Sequence, residues 1–267
     1  PSKSPKPAVT HIVGIDFSGS STQAGRLILV ATCKLVRGRG TWRLVVGSVR
    51  TVDDIGGKTI RTPGEACSVL RAELLRLRAD AGPGLVVGVD SPPSVAGQFV
   101  RPHSWLQWAA SFTRRFPSPD AFRRATTVRR RGGSKGEEPK RETDILARVP
   151  FPPQNLRMFR QTYHAIAGLY APLASAFAVV PCAAPGRGAP LLFESCPASV
   201  LKRLGLYKPP YKSKGQGDAA AHRAARRRRG QLLRILQDGV ALSGTDRGSL
   251  KVVLAGAGLR RRLLDDA

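Results

Sequence analysis

The stretches HIVGIDFSGS (residues 11–20) and GLVVGVDSPP (residues 84–93) end alike. Each is an apolar run closed by an aspartate, Asp16 in the first and Asp90 in the second, with small turn-forming residues behind it. Short, continuously apolar runs bounded by turn residues read as strands covered on both faces, the pattern of central strands in a parallel sheet. Between them, GRLILVATCKLVRG and TWRLVVGSVR are two further strands around a Gly-rich turn, and with the first they predict an antiparallel three-strand meander. A helix follows. Thr62 is its N-cap, Pro63 its first position and Glu65 the third member of a capping box, while Leu70, Leu74 and Leu77 recur on one face. A strand–helix–strand crossover makes its two outer strands parallel, so the Asp16 and Asp90 strands are expected to run the same way.

Downstream the character changes. Residues 91–190 are rich in Pro and Arg and poor in strand signals, and they include the polar loop VRRRGGSKGEEPKRETD. PPQNLRMFRQTYHAIAGLYAPLAS reads as one long helix, and Trp105 and Trp108, three residues apart, as the core face of another or as a base-stacking pair. APLLFESCP is a short strand carrying Glu194, PASVLKRLG a helix stopped by Gly205, GDAAAHRAARRRRGQLLRILQDG a long basic helix, and LRRRLLDDA the start of a last one. The expected organisation is a disordered lead over residues 1–10, then a single domain over 11–267 with a helical insertion at about 91–190.

Composition narrows the function classes. At 42% apolar, the 267 residues can bury a proper core, yet no run of about 18 apolar residues suggests a membrane span. The opening PSKSPKPAVT has no apolar signal region, so a cytoplasmic protein is expected. The four cysteines form no C-x-x-C pair and read as reduced thiols. The net charge of +26 points to a polyanionic partner such as DNA or RNA. The excess of 33 arginines over 11 lysines, alongside abundant Ala, Gly and Pro, is also what GC-rich coding produces without selection for binding.

Asp16, Asp90 and Glu194 each stand at the carboxyl end of an apolar run, where parallel sheets form ligand sites. Carboxylates brought together repel and raise one another's pKa. A divalent cation relieves this: Mg²⁺ takes one or two carboxylates with water and substrate phosphate, and two ions about 4 Å apart activate water for phosphodiester cleavage. The alternative is that each acid only caps the turn behind it.

The motifs VGIDFSGS, VVGVDSPPSVAG, RETD, FPPQNLRMFRQTYHAIAGL, FESCPASVLKRLGLY and the terminal LLDDA, in that order, resemble an uncharacterised group of bacterial and archaeal proteins described as predicted nucleases. The resemblance implies a ribonuclease-H-like α/β fold: a mixed five-stranded sheet, three antiparallel strands and then two parallel to the first, flanked by helices. It also implies a nuclease with Mg²⁺ or Mn²⁺ held by Asp16, Asp90, Glu194 and one of Asp265 or Asp266.

Further residues suit phosphate. Ser18, with Gly19 and Ser20, resembles the first phosphate loop of sugar kinases and actin-like ATPases, although no second Gly-rich loop accompanies it. Arg141 of RETD suits two-point phosphate binding, and equally a salt-bridged loop anchor with Asp144. Lys212 and Arg223, in YKSKGQGDAAAHR, suit neutralisation of a substrate phosphate or a solvated basic face, as does the run from Arg226 to Arg229. Three functions are therefore in contention: a metal-dependent nuclease, a non-catalytic nucleic-acid-binding protein on the same fold, and an actin-like or sugar-kinase-like phosphotransferase.

Overall fold

The structure, a computed structural model, describes residues 9–39, 41–101, 104–128, 137–183, 188–209, 211–212, 219–242 and 248–265. Its strands are β1 (His11–Asp16), β2 (Leu29–Arg37), β3 (Thr41–Thr51), β4 (Leu85–Val89), β5 (Ala178–Val180), β6 (Leu191–Glu194), β7 (Val240–Leu242) and β8 (Gly248–Leu254). They form a sheet in the order β5-β6-β4-β1-β2-β3-β8-β7. The sheet is mixed: β4 and β5 each run parallel to β6, β3 runs parallel to β8, and β7 is antiparallel to β8. β2 and β3 make a hairpin, closed where the Gly38 N–H donates to the Thr41 carbonyl at 2.8 Å and stitched further back by the Thr32 and Ser48 hydroxyls at 2.6 Å.

Eight strands correct the expected five. Two of the additional ones, β5 and β7, have three residues each, too few for alternation to show in sequence. The third, β8, reads GSLKVVL and takes its place by pairing with β3, some 200 residues earlier, a partnership that only the fold reveals.

By internal contacts the chain forms two compact units. The first comprises Gly14–Val30 and Arg50–Cys196. Its centre is β4, where Leu85, Val87 and Val89 are fully buried, which is why that run is apolar at every position. The helix Pro63–Ala81 starts at the capping box read from sequence: Thr62 Oγ1 accepts from the Glu65 N–H at 3.3 Å and Glu65 Oε2 accepts from the Thr62 N–H at 3.2 Å. Leu70 and Leu74 are buried beneath it, and Leu77 is half-buried. Trp105 and Trp108 are core residues, and Trp108 belongs to a ring cluster with Phe112, Phe116, Phe122 and Tyr163.

The expected long helix is shorter than its pattern. It begins at Phe159, because Asn155 first makes a turn in which its Oδ1 accepts from the Arg157 N–H at 3.1 Å. The helix Phe159–Ala165 then widens into a π segment, Ile166–Tyr170, before ending at Ala171–Leu173. Gly168 in that segment lies against Cys67 of the Pro63–Ala81 helix, and a Cβ there would sit 2.6 Å from the Cys67 sulfur. Arg71 donates to the Gly168 carbonyl at 2.6 Å, fastening the π segment to the Pro63–Ala81 helix.

The second unit comprises Val9–Val13, Ala31–Val49 and Pro197–Ala267. Its long helix, Ala219–Asp238, buries Ala225, Leu232 and Leu233 and packs on β8 and on the terminal helix Ala257–Asp265.

Candidate functional site

The order β6-β4-β1 places the three strand-end acids on consecutive strands. Glu194 ends β6, and its register partner on parallel β4 is Val89, so Asp90 stands one position beyond. The Asp90 N–H donates to the Ile15 carbonyl at 2.8 Å, one residue before Asp16. Asp16, Asp90 and Glu194 therefore share one edge of the sheet, with Asp16 exposed and the other two half-buried.

Sharing an edge is not the same as clustering. Adjacent strands are about 4.8 Å apart, so the backbones of Asp16 and Glu194 lie about 10 Å from each other, on either side of Asp90. Among the described residues, no group of three or more His, Cys, Asp or Glu side chains could hold a metal ion. Glu194 is also engaged elsewhere. Arg141 Nη1 donates to its Oε2 at 2.7 Å and Arg141 Nη2 to its Oε1 at 3.0 Å.

Arg141 is the hub of this region. On its other side it reaches Asp144, with Nε donating to Oδ2 at 3.0 Å and Nη2 to Oδ1 at 2.5 Å. Asp144 Oδ2 also accepts the Arg141 backbone N–H at 3.0 Å, which caps the short helix Glu142–Leu146. The Arg141 side chain is only 10% exposed and that of Asp144 only 1%. Burial by itself would lower the guanidinium pKa, but its forked hydrogen bonds to Asp144 and Glu194 outweigh it and raise the pKa further. Of the two roles read for Arg141 and Asp144, the arrangement is that of the salt-bridged anchor, joining the RETD segment to the end of β6.

Beside this anchor is a cavity of about 350 Å³, lined by Arg141, Asp144, Val180, Phe193, Glu194 and Cys196 among others. Behind it, the Tyr170 hydroxyl donates to the Ser91 carbonyl at 2.7 Å. Burial first, and then the charge of Glu194, push the Tyr170 pKa well up, so the phenol stays protonated. Burial likewise pushes the Cys182 thiol up to about 11.

Gln161, which the sequence did not single out, and Gly19, read there only as part of a phosphate loop, tie the acid-bearing loops together. Gln161 Nε2 donates to the Asp90 carbonyl. Gly19, three residues after Asp16, is pressed against the Gln161 backbone, where a Cβ would meet the Gln161 nitrogen at 2.5 Å. Neither a glutamine in a helix nor one more glycine in FSGS carries a signal of this contact. In the same loop, Ser18 Oγ accepts from the Ser20 N–H and Ser20 Oγ from the Gln23 N–H, both at 3.2 Å. Of the amides that a phosphate loop would offer to its ligand here, that of Ser20 is occupied from within.

The remaining candidates belong to the second unit. Lys212 is exposed, its ammonium 5.8 Å from the centre of the Tyr211 ring. Arg223 is exposed on the long helix. Asp265 closes the terminal helix, and its side chain, like all of Asp266, lies outside the described residues.

For a cation, the four-acid, two-ion set does not fit this donor arrangement, because Glu194 is bound to Arg141. A single Mg²⁺ or Mn²⁺ needs only one or two carboxylates beside water and phosphate, and Asp16 and Asp90, on neighbouring strand ends, suit that number.

The fold and this edge define an α/β protein with an eight-stranded mixed sheet and a row of acids at one end of three adjacent strands. No family model, curated protein or solved structure matches the chain.

Proposed function

We propose that the chain is a nucleic-acid phosphodiesterase whose metal, Mg²⁺ or Mn²⁺, is held by Asp16 and Asp90. The observation that carries this reading is the hydrogen bond from the Asp90 N–H to the Ile15 carbonyl, which sets the two acids side by side at the ends of neighbouring strands. The ion, when bound, would supply an activated water and charge stabilisation at the phosphate. Gln161 holds the Asp90 loop through its carbonyl and braces the Asp16 loop through Gly19, so one helix end sets the spacing of both acids. Arg141 keeps Glu194 outside the ligand set. The net charge of +26 suits a polyanionic substrate.

The test is cleavage of end-labelled single- and double-stranded oligonucleotides with Mn²⁺ by wild type, Asp16→Asn and Asp90→Asn, together with Mn²⁺ binding followed by electron paramagnetic resonance. Both variants should fold, bind Mn²⁺ more weakly and lose cleavage. Unchanged cleavage in both would sink the reading.

The Arg141–Glu194 lock and the absence of a three-acid group among the described residues favour a second reading, a nucleic-acid-binding protein without catalysis. It expects salt-sensitive binding and no cleavage with any divalent ion. The phosphotransferase reading is weakened by the occupied Ser20 amide of the Ser18 loop.

A further inference from the structure

The long helix Ala219–Asp238 contains AARRRRG, and the fold divides its four arginines by direction. Arg228 Nη2 donates to the carbonyls of Leu206 at 2.8 Å and Lys208 at 2.9 Å. Arg229 donates to the Leu264 carbonyl through Nε at 2.9 Å and Nη2 at 2.6 Å, and to the Tyr211 carbonyl through Nη1 at 3.1 Å. These two fasten the helix to its neighbours. Arg226 and Arg227 instead line a cavity of about 420 Å³, together with Arg223 and Arg234 of the same helix and Arg260 of the terminal helix.

The cavity is a groove with a cationic rim. Positions 223, 227, 230 and 234 fall on one helical face. Arg223, Arg227, Arg234 and Arg260 are exposed, and among the described residues none of the four makes a salt bridge. Among the described residues, no acid lines the groove. The glycine in the row, Gly230, is not demanded by the backbone: a Cβ there would meet Leu264 Cδ2 at 3.9 Å, an ordinary contact. What it does is leave the floor open between the guanidinium groups. Like charges gathered on a concave surface repel, and an anion seated among them removes that repulsion.

We propose that this groove binds the phosphodiester backbone of duplex nucleic acid. Guanidinium forks match phosphate oxygens in pairs. From Arg223 to Arg234 the helix rises about 16 Å, which at about 3.4 Å of axis per phosphate spans four to five phosphates of one strand. Among the described residues no aromatic ring lines the groove, so they offer no platform for an unpaired base and favour a duplex, whose phosphates face outward. The inference shares the nucleic-acid partner of the function proposed above but needs no hydrolysis. It is therefore measured as binding in EDTA, where a failed metal site has no effect.

The experiment is fluorescence anisotropy with a labelled duplex of about two helical turns over a series of salt concentrations. It compares wild type, Arg227→Gln/Arg260→Gln, Gly230→Leu, and a charge-matched control, Arg114→Gln/Arg124→Gln, built on exposed arginines of the first unit. The groove double variant should bind at least about tenfold more weakly and lose about 2 from the slope of log K against log salt, while the control stays near wild type. Gly230→Leu removes no charge, and its weaker binding would mark the concavity itself as the site. Equal losses in the groove and control variants would reduce the effect to net charge and overturn the proposal. Unchanged binding in Gly230→Leu would overturn the groove, tighter binding of the matching single strand would overturn the duplex, and an equal groove-dependent affinity for phosphatidylserine vesicles would overturn nucleic acid as the partner.

Discussion

Arg141 and Glu194, 53 residues apart in the chain, meet through two parallel hydrogen bonds of 2.7 and 3.0 Å. The same guanidinium carries Asp144, whose side chain is 1% exposed. Removing the guanidinium would leave that buried side chain without its partner. Arg141→Gln is expected to destabilise the fold by about 3–5 kcal/mol, read as a lower urea midpoint. Arg141→Lys should recover only part of the loss, because an ammonium cannot fork to two acids. A midpoint equal to wild type for Arg141→Gln would show that the triad is not structural.

The same lock separates Glu194 from the proposed chemistry. Glu194→Gln is expected to keep Mn²⁺-dependent cleavage within a few-fold of wild type, whereas Asp16→Asn abolishes it. Cleavage lost equally in both variants would return Glu194 to the ligand set and would mean that Arg141 releases it in the working state.

Gly168 predicts a local coupling. A methyl group there would lie 2.6 Å from the Cys67 sulfur and 2.7 Å from its Cβ. Gly168→Ala should therefore cost about 1–3 kcal/mol by overpacking. Adding Cys67→Ala removes the sulfur and should return part of that, a non-additivity of at least about 0.5 kcal/mol in a double-mutant cycle. Strict additivity would mean that the π segment shifts to make room.

Glu73 governs part of the acid limb of stability. Its hydrogen bonds from Arg76 hold its carboxyl below the ordinary value of 4.5, burial opposes this, and Arg50 at 2.6 Å adds to the lowering. A carboxylate whose pKa is depressed on folding contributes stability above its unfolded pKa and loses it as pH falls through the folded one. Urea midpoints should thus decline as pH drops below about 4.5, and Glu73→Gln should flatten that decline while lowering stability at neutral pH. An identical acid limb in the variant would place the titration elsewhere.

Features with a local cause were legible in the sequence. The Thr62–Glu65 capping box, the apolar run of β4 and the tryptophan pair each depend on neighbours within a few positions, and each took the form its pattern implied. The acids of β1, β4 and β6 also reached one edge, because a crossover constrains strand direction. What stayed hidden depended on partners far along the chain: the pairing of β8 with β3, the claim of Arg141 on Glu194, and the contact of Gly19 with Gln161. Asn155 delayed the start of a helical pattern through one side-chain hydrogen bond, which periodicity does not register.

The split within AARRRRG bears on how its arginines arose. Nucleotide bias alone would let lysine and arginine trade places anywhere in the run. At Arg226 and Arg227 a lysine would still present a positive head to the groove. At Arg229 it would not, because one ammonium on a single stem cannot take over three nitrogens donating to the carbonyls of Leu264 and Tyr211 together. Interchange between the two basic residues should therefore be common at the first pair of positions and rare at the second, so codon usage can account for the abundance of arginine here but not for its placement.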